Sequence, residues 1–429
     1  MEKMHETIPE VEKAILVRAF LKGDDRDETL ELLDELELLA NTAGAEVVEK
    51  IYQEIPSFSP ATLIGKGKLQ EIKEFAISEN IHLVIFDNEL SPIQMRNLSN
   101  ELQFKVLDRS GLILDIFAKN AKTQEAQLQV QLAQMQYLLP RLSRMWVHIS
   151  EQYGGIGSRG PGESQLESDR RVVRHHIQIL KEKLKHINTQ NTEQRKLRKN
   201  TPRFSLVGYT NSGKSTLMNT ITDANVFVED KLFATLSTTV RQFLLPNNKN
   251  ALLSDTIGFI RNLPHHLIAS FRTTLSEALE SDVLLHVIDV SNQNFRIMID
   301  TVNQTLEDIG IKDKPMIYVF NKIDKLDSLD LLHQLQNEYA QSVFISAERG
   351  INIPKLLERM LDEYEKFNTV YSLLVPYKSS GELNKIYDYC EVLERIDDDD
   401  GTHLQIKVES RNQDRLLPII TKYAIETKE

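Results

Sequence analysis

An α/β protein in several units, the largest with a parallel-rich sheet, is what three observations predict for this chain of 429 residues. Apolar, strand-like runs at 203–207, 251–254, 283–289, 316–320 and 342–345 alternate with helical stretches, the pattern of parallel strands joined by crossover helices. A smaller strand–helix alternation fills residues 10–118. Between the two, apolar residues recur at steps of four and three, the spacing of a helical seam.

In chain order, 13–20 reads as a strand, 27–42 as a helix and 45–53 as a second strand. Residues 61–64 lead into Gly65, Lys66, Gly67 and Lys68 and then a helix; this basic turn is either a surface turn or a contact for RNA phosphate. The compact run 81–86 reads as a buried strand. From 121 to 192 the pattern is helical: Leu128, Leu132, Met135, Leu139 and Leu142 face Val173, Ile177, Leu180, Leu184 and Ile187. The glycine-rich stretch 154–163 between them cannot continue a helix, so an antiparallel hairpin with that loop near its tip is expected. Pro140 should kink the first helix or end it early. A polar, basic linker (191–202, its core 193–202) precedes the main unit at 203–365. The last unit, 366–429, reads as a strand, a helix at 380–391, a hairpin turning at 397–401 and a helix at 412–424, a small α+β domain.

Composition narrows the function. No run of 18 apolar residues exists, so no membrane span is expected, and the N-terminus lacks a signal-peptide layout. Cys390 is the sole cysteine, which excludes an internal disulfide and a cysteine-built metal site and suggests cytoplasm. The net charge of −12 hides an asymmetry. Residues 141–200 carry 13 lysines and arginines against 6 acids, whereas the segments on either side are acidic. A nucleic-acid contact and a solvated basic helix are both open readings of that segment.

The chemistry sits in 203–365. Gly208, Tyr209, Thr210, Asn211, Ser212, Gly213, Lys214 and Ser215 form a phosphate-binding loop pattern between a strand and a helix that starts with Thr216. Glycines there let backbone N–H groups turn onto phosphate oxygens; Lys214 would reach the β- and γ-phosphates and Ser215 would ligate Mg2+. Asp255, Thr256, Ile257 and Gly258 follow a strand about 40 residues later, where Asp255 could hold Mg2+ through water and the Gly258 amide could sense a γ-phosphate. Asn321, Lys322, Ile323 and Asp324 follow another strand. A carboxylate at 324 can accept from both the N1–H and the exocyclic amine of guanine, whereas adenine would leave it unpaired. Ser346, Ala347 and Glu348 supply the matching contact near guanine O6. Together these four pieces define a guanine-nucleotide domain. The remaining metal contact, a threonine from a loop that relaxes on hydrolysis, lies among Phe233, Ala234, Thr235, Leu236, Ser237, Thr238 and Thr239. Phe259 occupies the place where many GTPases carry a water-orienting glutamine, so slow basal turnover is expected. Asn211 could ligate a monovalent cation beside the phosphates, which makes potassium a candidate second cofactor.

Several of these stretches carry a family likeness: 62–72, 84–98, 105–118, 154–171, and the nucleotide motifs with their flanks. With them the chain resembles the HflX family of translational GTPases over nearly its whole length. The resemblance selects Thr235 as the metal contact, with Lys214, Thr235 and Asn211 as the catalytic set, and matches Phe259 to the family's apolar residue there. Ser237 and Thr238 replace a common Asp-Pro pair, and Ser110 a usual threonine. It implies GTP and GDP as ligands and a GTP-dependent partner, the 50S ribosomal subunit and its rRNA. It also implies splitting of stalled or idle 70S ribosomes under stress, by a cytoplasmic monomer that can associate peripherally with ribosomes or membrane. Arg159, Arg170, Arg171 and Arg174 are the candidate RNA contacts; singly, each reads equally as a solvated arginine or a partner of Glu167 or Asp169. A switch in large-subunit assembly without splitting is the alternative. An ATP-using phosphotransferase is disfavoured by Asn321 and Asp324.

Overall fold

The structure is a computed structural model that describes residues 11–142, 161–196, 201–222, 232–233, 239–262, 264, 276–312, 314–326, 328, 330–339, 341–366, 368–379 and 381–425. Its first unit alternates β1 (Lys13–Leu21), α1 (Arg26–Ala43), β2 (Glu46–Ile55), α2 (Lys66–Ser78), β3 (Leu83–Phe86), α3 (Pro92–Leu102), β4 (Lys105–Asp108) and α4 (Arg109–Asn120). The sheet order is β2-β1-β3-β4, all parallel. β1 is central and covered on both faces, so Ile15, Leu16 and Val17 are fully buried, as its unbroken apolar run requires. α1 and α4 cover one face through Leu33, Leu36, Ile113 and Phe117; α2 and α3 cover the other through Ile72, Ala76 and Leu98. Local signals set the helix starts. Asp25 caps α1, and Ser91 and Gln94 form a capping box on α3. α2 begins at Lys66, so the basic turn is its first turn, capped by Gly65, with Lys68 paired to Glu71 at 2.7 Å.

α5 (Gln124–Leu142) and α6 (Pro161–Lys196) form the hairpin arms. Leu128, Leu132, Ile177, Leu180 and Leu184 are buried between them, with Met135, Leu139, Val173 and Ile187 packed alongside. Pro140 lies inside α5, which is described through Leu142. α6 extends through Lys196 into the segment read as linker; its polar composition permits an exposed helix as well as a loop.

The third unit has β5 (Arg203–Val207), α7 (Lys214–Thr222), β6 (Thr239–Leu244), β7 (Asn250–Asp255), α8 (Ser276–Glu280), β8 (Val283–Asp289), α9 (Phe295–Asp308), β9 (Met316–Asn321), α10 (Asp330–Glu338), β10 (Val343–Phe344) and α11 (Ile353–Glu365). The order is β10-β9-β8-β5-β7-β6; only β6 is antiparallel. β6 escapes sequence reading because it is an edge strand with one well-buried residue, Phe243, and so no apolar run. The last unit is an antiparallel sheet β11-β13-β12 of β11 (Asn368–Val375), β12 (Glu391–Asp397) and β13 (Thr402–Glu409) with α12 (Gly381–Tyr389) and α13 (Ser410–Tyr423). One continuous core joins the first and third units: Ile113, Ile116 and Phe117 share a cluster with Tyr209, Leu232, Phe233, Ile257, Phe259 and Ile260.

Candidate nucleotide-binding site

Parallel α/β sheets place their ligand crevice at the carboxyl ends of the strands, and the motif residues lie there. The 208–215 loop leaves β5 and enters α7. Gly208 has φ +151°, and a Cβ on it would run into the Val287 carbonyl; Gly213 has φ +93°, and a Cβ on it would overlap Asn321 Nδ2. Both positions therefore require glycine. Lys214 Nζ donates to the carbonyls of Gly208 at 3.1 Å and Tyr209 at 2.7 Å. An ammonium has three N–H donors, so one remains for a phosphate oxygen. Burial pulls the Lys214 pKa down to about 8, against the pull of Asp255. Phosphate oxygens nearby would restore its charge. Behind the loop, His286 is fully buried and its pKa is pushed down to about 3 by burial, then by Lys214, so it is neutral.

Ser215 Oγ donates to Asp255 Oδ2 at 2.6 Å. These two hard oxygens at a strand end beside the phosphate loop suit a magnesium ion. Thr256 Oγ1 donates to the Leu206 carbonyl at 2.6 Å, tying the start of the 255–258 motif to β5. Gly258 lies directly over the loop: a Cβ there would meet Thr210 Cα at 2.8 Å and Lys214 Nζ at 3.1 Å. Phe259 is buried in the core between the first and third units, and its amide and carbonyl bond Gly208 O at 3.1 Å and Thr210 N at 2.8 Å.

The residues expected to read the base are coupled to the same loop. Asn321 donates Nδ2 to the Ser212 carbonyl and accepts from Ala347 N, both at 2.9 Å. Lys322 reaches the Asn211 carbonyl at 2.8 Å and pairs with Asp289 at 2.6 Å. Ile323 and Asp324 form a tight 3-10 turn after β9. The Asp324 carboxyl is held below its ordinary range, chiefly by the Ser346 hydroxyl and also by Arg349, whose Nε is 3.5 Å away. The Glu348 and Thr216 backbones adjoin these segments in the chain. Ala234, Thr235, Leu236 and Ser237 lie outside the described residues, as does Arg159. Phe233 is described, and it faces the first unit: its ring packs edge-on to Phe117 with centroids 4.8 Å apart. Arg171 and Arg174 are exposed on α6 and Arg170 is half-buried, all away from the nucleotide residues in sequence and on the hairpin arm.

What motif reading missed is the set of first-unit residues that reach this site. The Tyr209 hydroxyl donates to Glu35 and accepts from Arg261 N at 2.7 Å. Burial and then Glu35 raise the pKa of that phenol, so it stays a donor. Arg109 pairs with Glu35 and with Asp87 at 2.7 Å, and donates to the Arg261 carbonyl at 2.9 Å. A cavity of about 270 Å3 between α1, the phosphate loop and α9 is lined in part by Glu31, Glu35, Asn211, His286 and Asp289. The stretch 105–118 carried a family likeness but no chemical motif that would have marked Arg109.

The glycine-dependent loop between β5 and α7, with Asp255 and Asn321 brought beside it, is the arrangement expected of a P-loop guanine-nucleotide protein. Residues 30–118 match the family described as GTP-binding GTPase N-terminal, 120–198 the GTP-binding GTPase middle region, and 203–322 the 50S ribosome-binding GTPase family. The GTPase HflX of Flavobacterium psychrophilum is 46% identical over 387 residues, covering 85% of this chain and 93% of that protein. That of Caldanaerobacter subterraneus is 42% identical, covering 96% and 95%. A GTP-binding protein of Sulfolobus solfataricus solved with GDP is 28% identical with a TM-score of 0.44, covering 82% of this chain and 98% of that one. The chain belongs to the HflX family of GTPases and is a GTP hydrolase. Among the described residues no helix is long and apolar enough to cross a membrane.

Proposed function

We propose that this GTPase binds the 50S ribosomal subunit in its GTP state and dissociates stalled or idle 70S ribosomes, in the stress setting the family resemblance implies. The observation that supports it most is the hairpin. A long arm with exposed Arg171 and Arg174 precedes the nucleotide-binding unit in the chain, in the segment that matches the GTPase middle region. Arginines on such an arm suit rRNA phosphates. GTP acts through occupancy: bound triphosphate holds the binding shape and hydrolysis releases it. Purified 70S ribosomes mixed with saturating protein and a non-hydrolysable GTP analogue should sediment as separate subunits in a sucrose gradient. A persistent 70S peak with the protein riding on the 50S subunit alone would favour the assembly reading.

In hydrolysis, Lys214 neutralises the β,γ-oxygens, and Ser215, Thr235 and, through water, Asp255 are the residues that would hold magnesium. The ion supplies charge neutralisation on the transferring phosphoryl group. Phe259, buried in the core, cannot orient water, so the intrinsic rate is slow. Asn211, with φ +60° in the phosphate loop, is the residue to ligate potassium there. Turnover should rise several-fold when potassium replaces sodium, and equal kcat in both salts would remove potassium from the mechanism.

A further inference from the structure

Tyr209 belongs to the phosphate loop, yet its side chain runs into the first unit. The ring is buried in the apolar core that the first and third units share. Its hydroxyl is bonded on both sides, donating to Glu35 of α1 and accepting from the Arg261 amide at 2.7 Å. A phenol bonded as donor and acceptor is fixed in position and rotation. The main chain of the same residue faces the chemistry. Its carbonyl accepts from Lys214 Nζ at 2.7 Å, and it forms a parallel bridge with Phe259, beside Gly258.

The far end of this contact is held as firmly. The second oxygen of Glu35 pairs with Arg109, which is buried and also bonds Asp87 at 2.7 Å and the Arg261 carbonyl at 2.9 Å. Asp87 is in turn paired with Arg18 of β1. The bonds therefore close a ring: Arg261 amide to Tyr209, Tyr209 to Glu35, Glu35 to Arg109, and Arg109 back to the Arg261 carbonyl. Buried polar groups at any interface need partners. This ring does more than supply them, because two of its members are the phosphate loop and the segment that follows Gly258.

We infer that Tyr209 and Glu35 are positioning residues for GTP hydrolysis: the ring they close fixes the Tyr209 carbonyl and thereby aims Lys214. Two of the three ammonium donors are spent on the Gly208 and Tyr209 carbonyls, so those carbonyls set the direction of the third. Charge shifts on the phosphate oxygens as the bond to the γ-phosphoryl group breaks, and a misdirected lysine costs that transition state more than it costs a bound nucleotide. GDP has no phosphoryl group to transfer, so its affinity gauges whether the loop itself is intact. The inference rests on the role of Lys214 in hydrolysis proposed above.

Single-turnover GTP hydrolysis and GDP affinity, both measured on the full chain with magnesium, provide the test. Tyr209→Phe removes one oxygen and keeps the ring in the core. Hydrolysis should slow about tenfold, with GDP affinity within threefold of the parent. Glu35→Ala should do the same, and the double variant should be no slower than the slower single, because the two residues act as one unit. Parent-like hydrolysis in Tyr209→Phe while Lys214→Ala is inactive would overturn the inference. So would a loss of GDP affinity as large as the loss of rate, or losses that multiply in the double variant. If Glu35→Ala does not fold, the rate and affinity of Tyr209→Phe decide. Parent-like hydrolysis in Lys214→Ala would instead overturn the reading of the lysine on which the inference rests.

Discussion

Gly213→Ala should cost this protein its nucleotide, with GTP and GDP both bound at least about 100-fold more weakly by calorimetry. The backbone at 213 has φ +93°, a region a side chain enters at roughly 1–2 kcal/mol. The added methyl would also overlap the amide of Asn321, which links the Ser212 carbonyl to Ala347 N. Displacing it leaves buried polar groups unpaired at about 1–3 kcal/mol. Those effects together reach about 3 kcal/mol, or roughly 100-fold. The loss should be shared by both nucleotides, because the damaged link joins the phosphate loop to the 321–324 loop, and GTP and GDP share the guanine and the β-phosphate that those loops would hold. An affinity within fivefold of the parent would mean that the loop and Asn321 are not coupled as the geometry has them.

Asp324→Asn should erase the preference for guanine. The carboxylate offers two acceptors to two guanine donors, while an amide offers one acceptor and turns N–H groups toward N–H groups. A site built on such pairing loses roughly 10,000-fold in discrimination when the pairing fails, so GTP affinity should fall steeply while ATP gains little. Xanthosine triphosphate, which carries an oxygen where guanine carries its amine, should become the better ligand. Retained preference for GTP over xanthosine triphosphate would remove Asp324 from base recognition. The same carboxylate sets a pH dependence. Ser346 and then Arg349 hold its pKa below the ordinary aspartate value, so it is ionised wherever ordinary aspartates are. Its contribution to stability is present above the unfolded-state pKa and is lost as pH falls through the lowered folded value, and guanine binding, which needs the ionised carboxylate of the folded protein, should persist below the ordinary aspartate range. Loss of binding at the pH where a free aspartate titrates would place the base-reading group elsewhere.

How much of this could be read from the chain depends on the range of each interaction. The hairpin seam was legible because 3.6-residue periodicity is written into consecutive residues, and Leu128, Leu132, Ile177, Leu180 and Leu184 meet as their spacing requires. The phosphate loop was legible because its glycines answer to local backbone angles. β6 was not, since an edge strand needs no apolar run. The place of Pro140 inside α5 was not either: the residue after it, Arg141, is held by Asp108 and the Leu90 carbonyl of the first unit, contacts that no local signal marks.

The chain's own order therefore determined the α/β units, the four guanine-nucleotide motifs and the two helical arms, all products of residues within a few positions of one another. Only the folded molecule decided what surrounds those motifs. Arg109 reaches Arg261 across 152 positions, Asn120 reaches Phe233 across 113, and Tyr209 reaches Glu35 across 174. No periodicity or turn preference encodes such pairings. They exist because the first and third units bury one shared apolar face, and that burial brings a few polar groups to where only each other can satisfy them.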